Sequence, residues 1–309
     1  ASTAQQVPRR RNTCNSCIPM GSIIHNRLTI IDPSCYASDI DGDQCDVQAV
    51  HSSEVALMSD EVRDAVRERY ARFAGELTAT SCCGESACCS DVNASGASCG
   101  SAYSPEQLQE VGVEPGISLG CGNPTQLARL EPGQTILDLG SGGGLDVLLS
   151  ARRVAPGGHA YGVDMTDEML QLAERNRAQA GVENATFLKG TIEQIPLPSA
   201  SIDVVISNCV INLAEDKGAV LREAARVLRP GGLLAVADMV EMEPLSPETK
   251  RAVDAWAGCI SGTIPVDEYR AQLQAAGFVD VEIDVHAEHE LEGEGRIGSA
   301  YIRARRPEA

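Results

Sequence analysis

The chain has 309 residues, with 25 Lys and Arg against 44 Asp and Glu for a net charge of −19, and it holds 12 cysteines and 29 glycines. A 43% hydrophobic and 22% charged composition belongs to a globular chain with a sizeable core, and no apolar run approaches the roughly 20 residues of a membrane span. The acidic balance argues against nucleic acid and anionic membrane surfaces, which are bound through clustered Lys and Arg.

Residues 1–55 lack sustained periodicity and are expected to form a poorly ordered, cysteine-containing extension, with no apolar core of a secretory signal in the first 30 residues. A cytoplasmic location with reduced thiols follows as the expectation, and thiols in that setting read as ligands or redox groups. Cys14, Cys17, Cys35 and Cys45 suit either a zinc knot, a disordered tail or an arm that captures thiophilic ions. From Ser59 to Leu77 the spacing of Val62, Val66, Tyr70, Phe73 and Leu77 predicts an amphipathic helix capped by Ser59 or Asp60. Residues 78–104, rich in Ser, Gly, Ala and Cys, read as a loop carrying Cys82, Cys83, Cys88, Cys89 and Cys99.

Strands and helices then alternate. Strands are predicted at Thr135–Leu139, His159–Asp164, Ala185–Lys189, Ile202–Ser207 and Leu233–Met239, and helices at Leu145–Val154, Thr166–Ala180 and Asp216–Leu228, the last stopped by Pro230-Gly231-Gly232. This order predicts an α/β fold with a mostly parallel, doubly wound sheet across 56–240. Beyond it, a helix near Ser246-Pro247, another from Pro265 to Ala276, and strands at Val279–Val285 and Ser299–Arg305 form a small α+β region over 241–309 that either extends the sheet or caps it.

The loop Asp138-Leu139-Gly140-Ser141-Gly142-Gly143-Gly144 lies between the first strand and its helix, where glycines let a ligand approach backbone N–H groups at the helix N-terminus. Asp164 ends the next strand, placed to accept from the hydroxyls of a ribose. A dinucleotide-binding loop would carry its third glycine where Leu145 stands, so nicotinamide cofactors are the lesser reading. Three further cysteines border readable elements: Cys121 in Ser118-Leu-Gly-Cys-Gly-Asn-Pro124, Cys209 after the fourth strand, and Cys259 in Gly258-Cys-Ile260. No histidine lies near these three in sequence, and zinc favours four ligands.

The glycine loop with its leading acid and Arg226-Val-Leu-Arg-Pro-Gly-Gly232 resemble segments of class I S-adenosylmethionine-dependent methyltransferases, a Rossmann-like fold. Gly120-Cys-Gly-Asn-Pro124, Asp138–Asp146, Gly162-Val-Asp-Met-Thr166, Ser207–Leu213 with Asp216-Lys217, Gly258-Cys-Ile260 and Val66-Arg-Glu-Arg-Tyr70 with Ser81-Cys-Cys-Gly84 resemble, in combination, the arsenite methyltransferases of bacterial type, over residues 60–285. The resemblance implies methylation of arsenite and methylarsenite, or their thiol conjugates, for arsenic detoxification. Cys121, Cys209 and Cys259 would hold As(III), and Cys82 or Cys83 would form a redox disulfide with Cys121. Glutathione or thioredoxin would act as reductant, and the chain would work as a monomer. For S-adenosylmethionine it implies contacts from Asp138, Gly140, Ser141, Gly142, Gly144 and Asn208 around the methionine part, Asp164 on the ribose, Met165, Ile192 and Glu193 beside the adenine, and Tyr70 as a cover. Two other functions are compatible with the residues: methylation of a small organic metabolite, which would not need Cys209 and Cys259, and sequestration of arsenic by a thiol-rich protein without turnover.

Overall fold

A computed structural model describes residues 62–77, 102–113, 120–252, 260–291 and 295–308. One seven-stranded sheet organises them, in the order β3-β2-β1-β4-β5-β7-β6. Strands β1 (Thr135–Leu139), β2 (His159–Asp164), β3 (Ala185–Lys189), β4 (Ile202–Asn208) and β5 (Leu228–Glu241) run parallel, and β7 (Gly295–Arg305) is antiparallel both to β5 and to β6 (Val279–Leu291). The C-terminal region therefore extends the sheet. Strand β5 starts at Leu228, which was expected to end the preceding helix, and runs through Arg229-Pro-Gly-Gly232, where its register with β4 shifts between Ile202/Leu228 and Val204/Leu233 and leaves Arg229–Gly232 as a bulge.

The helices follow local chemistry. Helix α1 spans 62–77 and buries Val62, Val66 and Ala74, the last against Met169 and Leu172 of α5 (Asp167–Ala180). Helices α2 (Pro105–Val111) and α3 (Pro124–Leu127) were not expected. The Ser104 hydroxyl and the Gln107 amide form a reciprocal capping box at the start of α2, with Pro105 in its first turn, and the Asn123 side chain caps α3. Helix α4 (Leu145–Arg153) follows the glycine loop. Thr166 occupies the position before α5, yet its hydroxyl makes no cap and turns to Asp164 instead. Asp216 caps α6 (Lys217–Val227), whose Val220, Leu221, Ala224 and Val227 face the sheet. Helices α7 (Pro247–Arg251) and α8 (Val266–Ala275) precede the last two strands.

Side chains alternate across β1, so the two faces of the sheet bury different clusters. Leu137 and Leu139 join α6 and α8 residues on one face, while Ile136 packs with Leu145, Leu148 and Val111 on the other. Both faces of the parallel strands are covered, which explains their nearly continuous apolar character. The order reverses between β1 and β4, and the crevice at the carboxyl ends of those two strands is where a ligand fits such a sheet. No helix among the described residues is long and apolar enough to cross a membrane.

Leu137 is fully buried on β1, which pairs with β2 and β4. Leu137→Ala should destabilise the chain by ~2–5 kcal/mol through lost burial and a residual cavity. A urea denaturation midpoint unchanged from that of the parent would contradict this packing.

Candidate functional site

The glycine loop occupies the switch point. Gly140 and Ser141 both donate their N–H to the carbonyl of Val163 on β2, and Gly144 closes the turn onto the Ser141 carbonyl. Gly144 has φ +86°, and a Cβ there would sit 2.6 Å from the Phe187 ring. Its smallness thus serves the approach of α4 to β3. Gly140, at φ +68°, would drive a Cβ into Val210 at 2.5 Å. These two glycines are required by packing within the chain; Gly140, Ser141 and Gly142 also line a pocket.

On one side of the loop lies a cavity of about 280 Å³. Asp164, Met165, Ile192, Glu193 and Tyr70, all expected around an adenosine, line it together with Val62, Arg63 and Leu213, which were not anticipated. Asp164 accepts from the Gly142 N–H at 2.9 Å and the Thr166 N–H at 2.8 Å. Burial raises its carboxyl above the usual range, and these donations oppose the rise.

On the other side is a pocket of about 60 Å³ lined by Asp138, Ser141, Gly142, Asn208, Tyr70 and a residue the motif reading passed over as a binding group, Asp146. Both Asp138 and Asp146 are buried, at 3% and 6% exposure. Desolvation pushes the Asp138 carboxyl well up, reinforced by the charges of Asp146 and Asp164, and pushes Asp146 up to about 6 against opposing hydrogen bonds from Tyr103 and Asn208 and the charge of Arg153. Tyr103, also unforeseen, donates its hydroxyl to Asp146 Oδ2 at 2.7 Å and accepts from Asn208 Nδ2 at 2.9 Å.

Asn208 reaches further. Its Oδ1 accepts from the Gly122 N–H at 3.2 Å and its Nδ2 donates to the Gly122 carbonyl at 2.8 Å, so one side-chain amide holds both backbone groups of a residue 86 positions away. Cys121 and Cys209, the neighbours of those two residues, are joined in a disulfide with their Cα atoms 6.0 Å apart. The expected redox partners of Cys121, Cys82 or Cys83, lie outside the described residues; the structure joins Cys121 to Cys209, because the Asn208 amide draws the 120–123 segment against the end of β4. Cys209 follows β4 at φ +57°, a left-handed conformation that costs a non-glycine residue on the order of 1–3 kcal/mol, and its N–H is fixed to the Ala237 carbonyl. Met239, Leu245 and Ile297 bury with Cys209, and Ile260 packs against them. Cys259, Cys82, Cys83, Cys14, Cys17, Cys35, Cys45, Cys88, Cys89 and Cys99 lie outside the described residues. Among the described residues no three His, Cys, Asp or Glu groups are arranged for a metal ion.

A fourth buried acid braces this region from behind. Asp238 on β5 accepts from the Met239 N–H (3.0 Å), from the Tyr269 hydroxyl of α8 (3.3 Å) and from the Asn212 backbone. Lys217, itself buried, donates to the Ala214 carbonyl at 3.0 Å and supplies the opposing charge. Desolvation nevertheless raises Asp238 to about 7.

The chain is similar to known proteins along most of the described length. A family profile for a methyltransferase domain matches residues 130–277. An arsenite methyltransferase of Halobacterium salinarum is 40% identical over 267 residues, 80% of this chain and 67% of that protein. One from Mus musculus is 36% identical over 206 residues, 62% of this chain and 54% of that protein. In three dimensions the chain resembles an arsenic(III) S-adenosylmethionine methyltransferase of Chlamydomonas reinhardtii, with a TM-score of 0.57 at 33% identity over 65% of this chain and 74% of the other. The chain thus spans between 54% and 67% of the two curated relatives.

Asp238 and Asp146 hold protons in the folded state that a carboxyl at 3.8 has already lost in the unfolded chain. Each therefore makes stability fall as pH rises from about 4 towards its folded value, whereas the lowered Glu223 and Glu106 act in the opposite sense, below their ordinary 4.5. In Asp238→Asn the decline of the denaturation midpoint between pH 5 and 7.5 should be shallower than in the parent. Identical slopes in the two proteins would show that Asp238 titrates unperturbed.

Proposed function

Since the chain belongs to the arsenite methyltransferases, we propose that it transfers the methyl group of S-adenosylmethionine to trivalent arsenic carried on its own cysteine thiolates. The observation that carries this reading is the meeting of Cys121 and Cys209 at the carboxyl end of β4, beside the pocket between the glycine loop and Asn208. Trivalent arsenic is a soft centre, and thiolates are the side chains that select soft centres.

The residues present suit the cofactor. The adenosine-side cavity combines apolar walls at Ile192 and Leu213 with the Asp164 carboxylate, and two residues that line the smaller pocket, Asp146 and Ser141, each carry a buried polar atom without a hydrogen-bond partner, Oδ1 and Oγ. When bound, S-adenosylmethionine supplies an electrophilic methyl carbon. The chain's own work is then to hold and to exclude. Asp164 receives the ribose hydroxyls, Ile192 and Met165 take the purine, Glu193 accepts from its amine, and Tyr70 covers the space between the two pockets. The leading Asp138 and the loop atoms of Gly140, Ser141, Gly142 and Gly144, with Asn208, flank the methionine part.

Cys121, Cys209 and Cys259 hold arsenic as a pyramidal thiolate complex with its lone pair directed at the methyl carbon. The lone pair is the nucleophile, so no general base is required, and the rate rests on alignment. Met239, Leu245 and Ile297 keep water from this centre. Methyl transfer formally removes two electrons from arsenic, and a dithiol that closes to a disulfide returns two. The Cys121–Cys209 pair is one such couple, and Cys82 or Cys83 is a further candidate for the exchange. Glutathione or thioredoxin would restore the thiols, and arsenic would bind only after the Cys121–Cys209 bond has been reduced.

Incubation with arsenite, S-adenosylmethionine and a thiol, followed by arsenic speciation, should yield methylated arsenicals. The absence of any methylated product would reject the reading. Cys209→Ser should lower the rate ~100-fold or more through lost alignment, whereas Cys209→Ser turning over at the parent rate would reject the proposed thiolate set. Asp164→Ala should weaken S-adenosylhomocysteine binding roughly 10- to 100-fold in calorimetry, the range expected when hydrogen bonds to a charged group are lost.

A further inference from the structure

Leu213 stands where the two halves of the site meet. It lines the larger cavity together with Met165 and Ile192, and it packs with Val62 and Val66 of α1. It also packs against the cluster of Cys209, Met239, Leu245 and Ile297. Among the described residues no other apolar side chain both borders that cavity and packs against the cluster that holds Cys209.

The backbone fixes this leucine from both sides. The turn Ile211–Leu213 closes through the Leu213 N–H on the Val210 carbonyl (2.9 Å) and the Ala214 N–H on the Ile211 carbonyl (3.1 Å). The Lys217 ammonium donates to the carbonyls of the two residues that flank Leu213, Asn212 (3.4 Å) and Ala214 (3.0 Å). Asn212 Nδ2 ties the same turn to the Met239 carbonyl at 2.6 Å. A buried ammonium is costly, and in the first turn of a helix the helix dipole opposes it as well. Lys217 is buried at the start of α6 with Asp238 as its counter-charge, and what it secures is the turn that carries Leu213.

An arsenic atom held by Cys121 and Cys209 keeps one further bond besides its lone pair. In inorganic arsenite that bond is free for another thiolate, whereas in an organoarsenical carbon already occupies it. The carbon group then lies among the apolar side chains packed with Cys209, and of these Leu213 is the one that borders the cofactor cavity. We propose that Leu213 is a specificity-determining residue of the acceptor side, its fixed side chain limiting the size of the carbon group that arsenic can carry into line with the methyl donor, and that Lys217 is a positioning residue acting through it. The proposal rests on the arsenic reading above and extends it from the acceptor atom to its substituents.

The full chain is assayed with S-adenosylmethionine, a thiol and, in separate reactions, arsenite or phenylarsenite. The quantity read is the ratio of kcat/KM for phenylarsenite to that for arsenite. Both acceptors meet the same preparation, so any loss of folded protein cancels. Leu213→Ala should raise the ratio at least ~10-fold, the scale on which methylenes alter hydrophobic discrimination. The milder Leu213→Val should raise it ~3-fold. Lys217→Met combined with Asp238→Asn removes both charges together and leaves neither buried alone. This pair should raise the ratio ~3-fold in the parent and leave it unmoved in a Leu213→Ala chain, because the side chain through which the clamp acts is gone. A parent that methylates neither acceptor overturns the arsenic reading itself. A parent active on arsenite whose ratio neither Leu213 variant raises overturns the role of Leu213. A charge-pair change that leaves the ratio at the parent value, or shifts it equally with and without Leu213, overturns that of Lys217.

Discussion

The Asn208 side-chain amide holds the site together. It grips both backbone groups of Gly122, and so it pins a segment that precedes the sheet to the carboxyl end of β4. Asn123 secures the same segment from the other side, donating to the Ala102 carbonyl and to Gln107 Oε1 of α2 while its Oδ1 caps α3. Residues 120–123 are thereby fixed between the N-terminal helices and the switch point. Without that double grip Cys121 would belong to a loop, and Cys209 would face an apolar pocket with no thiol opposite. The tolerance is small, because Gly122 itself packs on Ala237 and Tyr301, 2.6 and 2.9 Å from where a Cβ would stand.

Much of this fold was legible because its elements are contiguous and periodic. The five parallel strands are short apolar runs, the helices between them carry caps and stops, and the glycine loop with Asp164 lies within 27 residues of chain. Helix α2 escaped notice although Ser104, Pro105 and Gln107 spell its start, because it adjoins a Ser-, Gly- and Cys-rich stretch that masks it. Strand β6 was read only to Val285, yet its alternation continues through Ala287 and His289 to Leu291. Charged residues on the exposed face of an edge strand dilute the apolar pattern there.

The site divides in the same way. Residues within one motif, such as Asp138 to Gly144, or Ile192 with Glu193, were found, and they line the two pockets apart from Leu139, which lies in the core, and Gly144, whose role is helix packing. Tyr103, Asp146 and Asn208 form a triangle drawn from segments separated by 43 and 62 positions. Each alone is an ordinary residue, and only the fold gives the three a common purpose. Cysteine pairing is likewise not deducible from spacing, which is why the Cys121–Cys209 bond was not anticipated.

Four aspartates end up buried near the carboxyl edge of the sheet, and all four are raised by desolvation, yet they are not equivalent. Asp238 is met by Lys217, a tyrosine hydroxyl and backbone donors, so its environment is complete within the chain and its place is to brace the turn at Ile211–Leu213. Asp164 is met by backbone N–H groups and still borders the larger cavity. Asp138 and Asp146 border the smaller pocket, where one carboxylate oxygen has no donor at all. A raised carboxyl therefore has two meanings in one molecule: where donors surround it, the group serves the fold, and where a donor is missing, the fold bears the cost of a buried, unpaired oxygen. That contrast, more than the magnitude of any shift, separates the acids whose hydrogen bonding is complete within the chain from those that border the pocket with it incomplete.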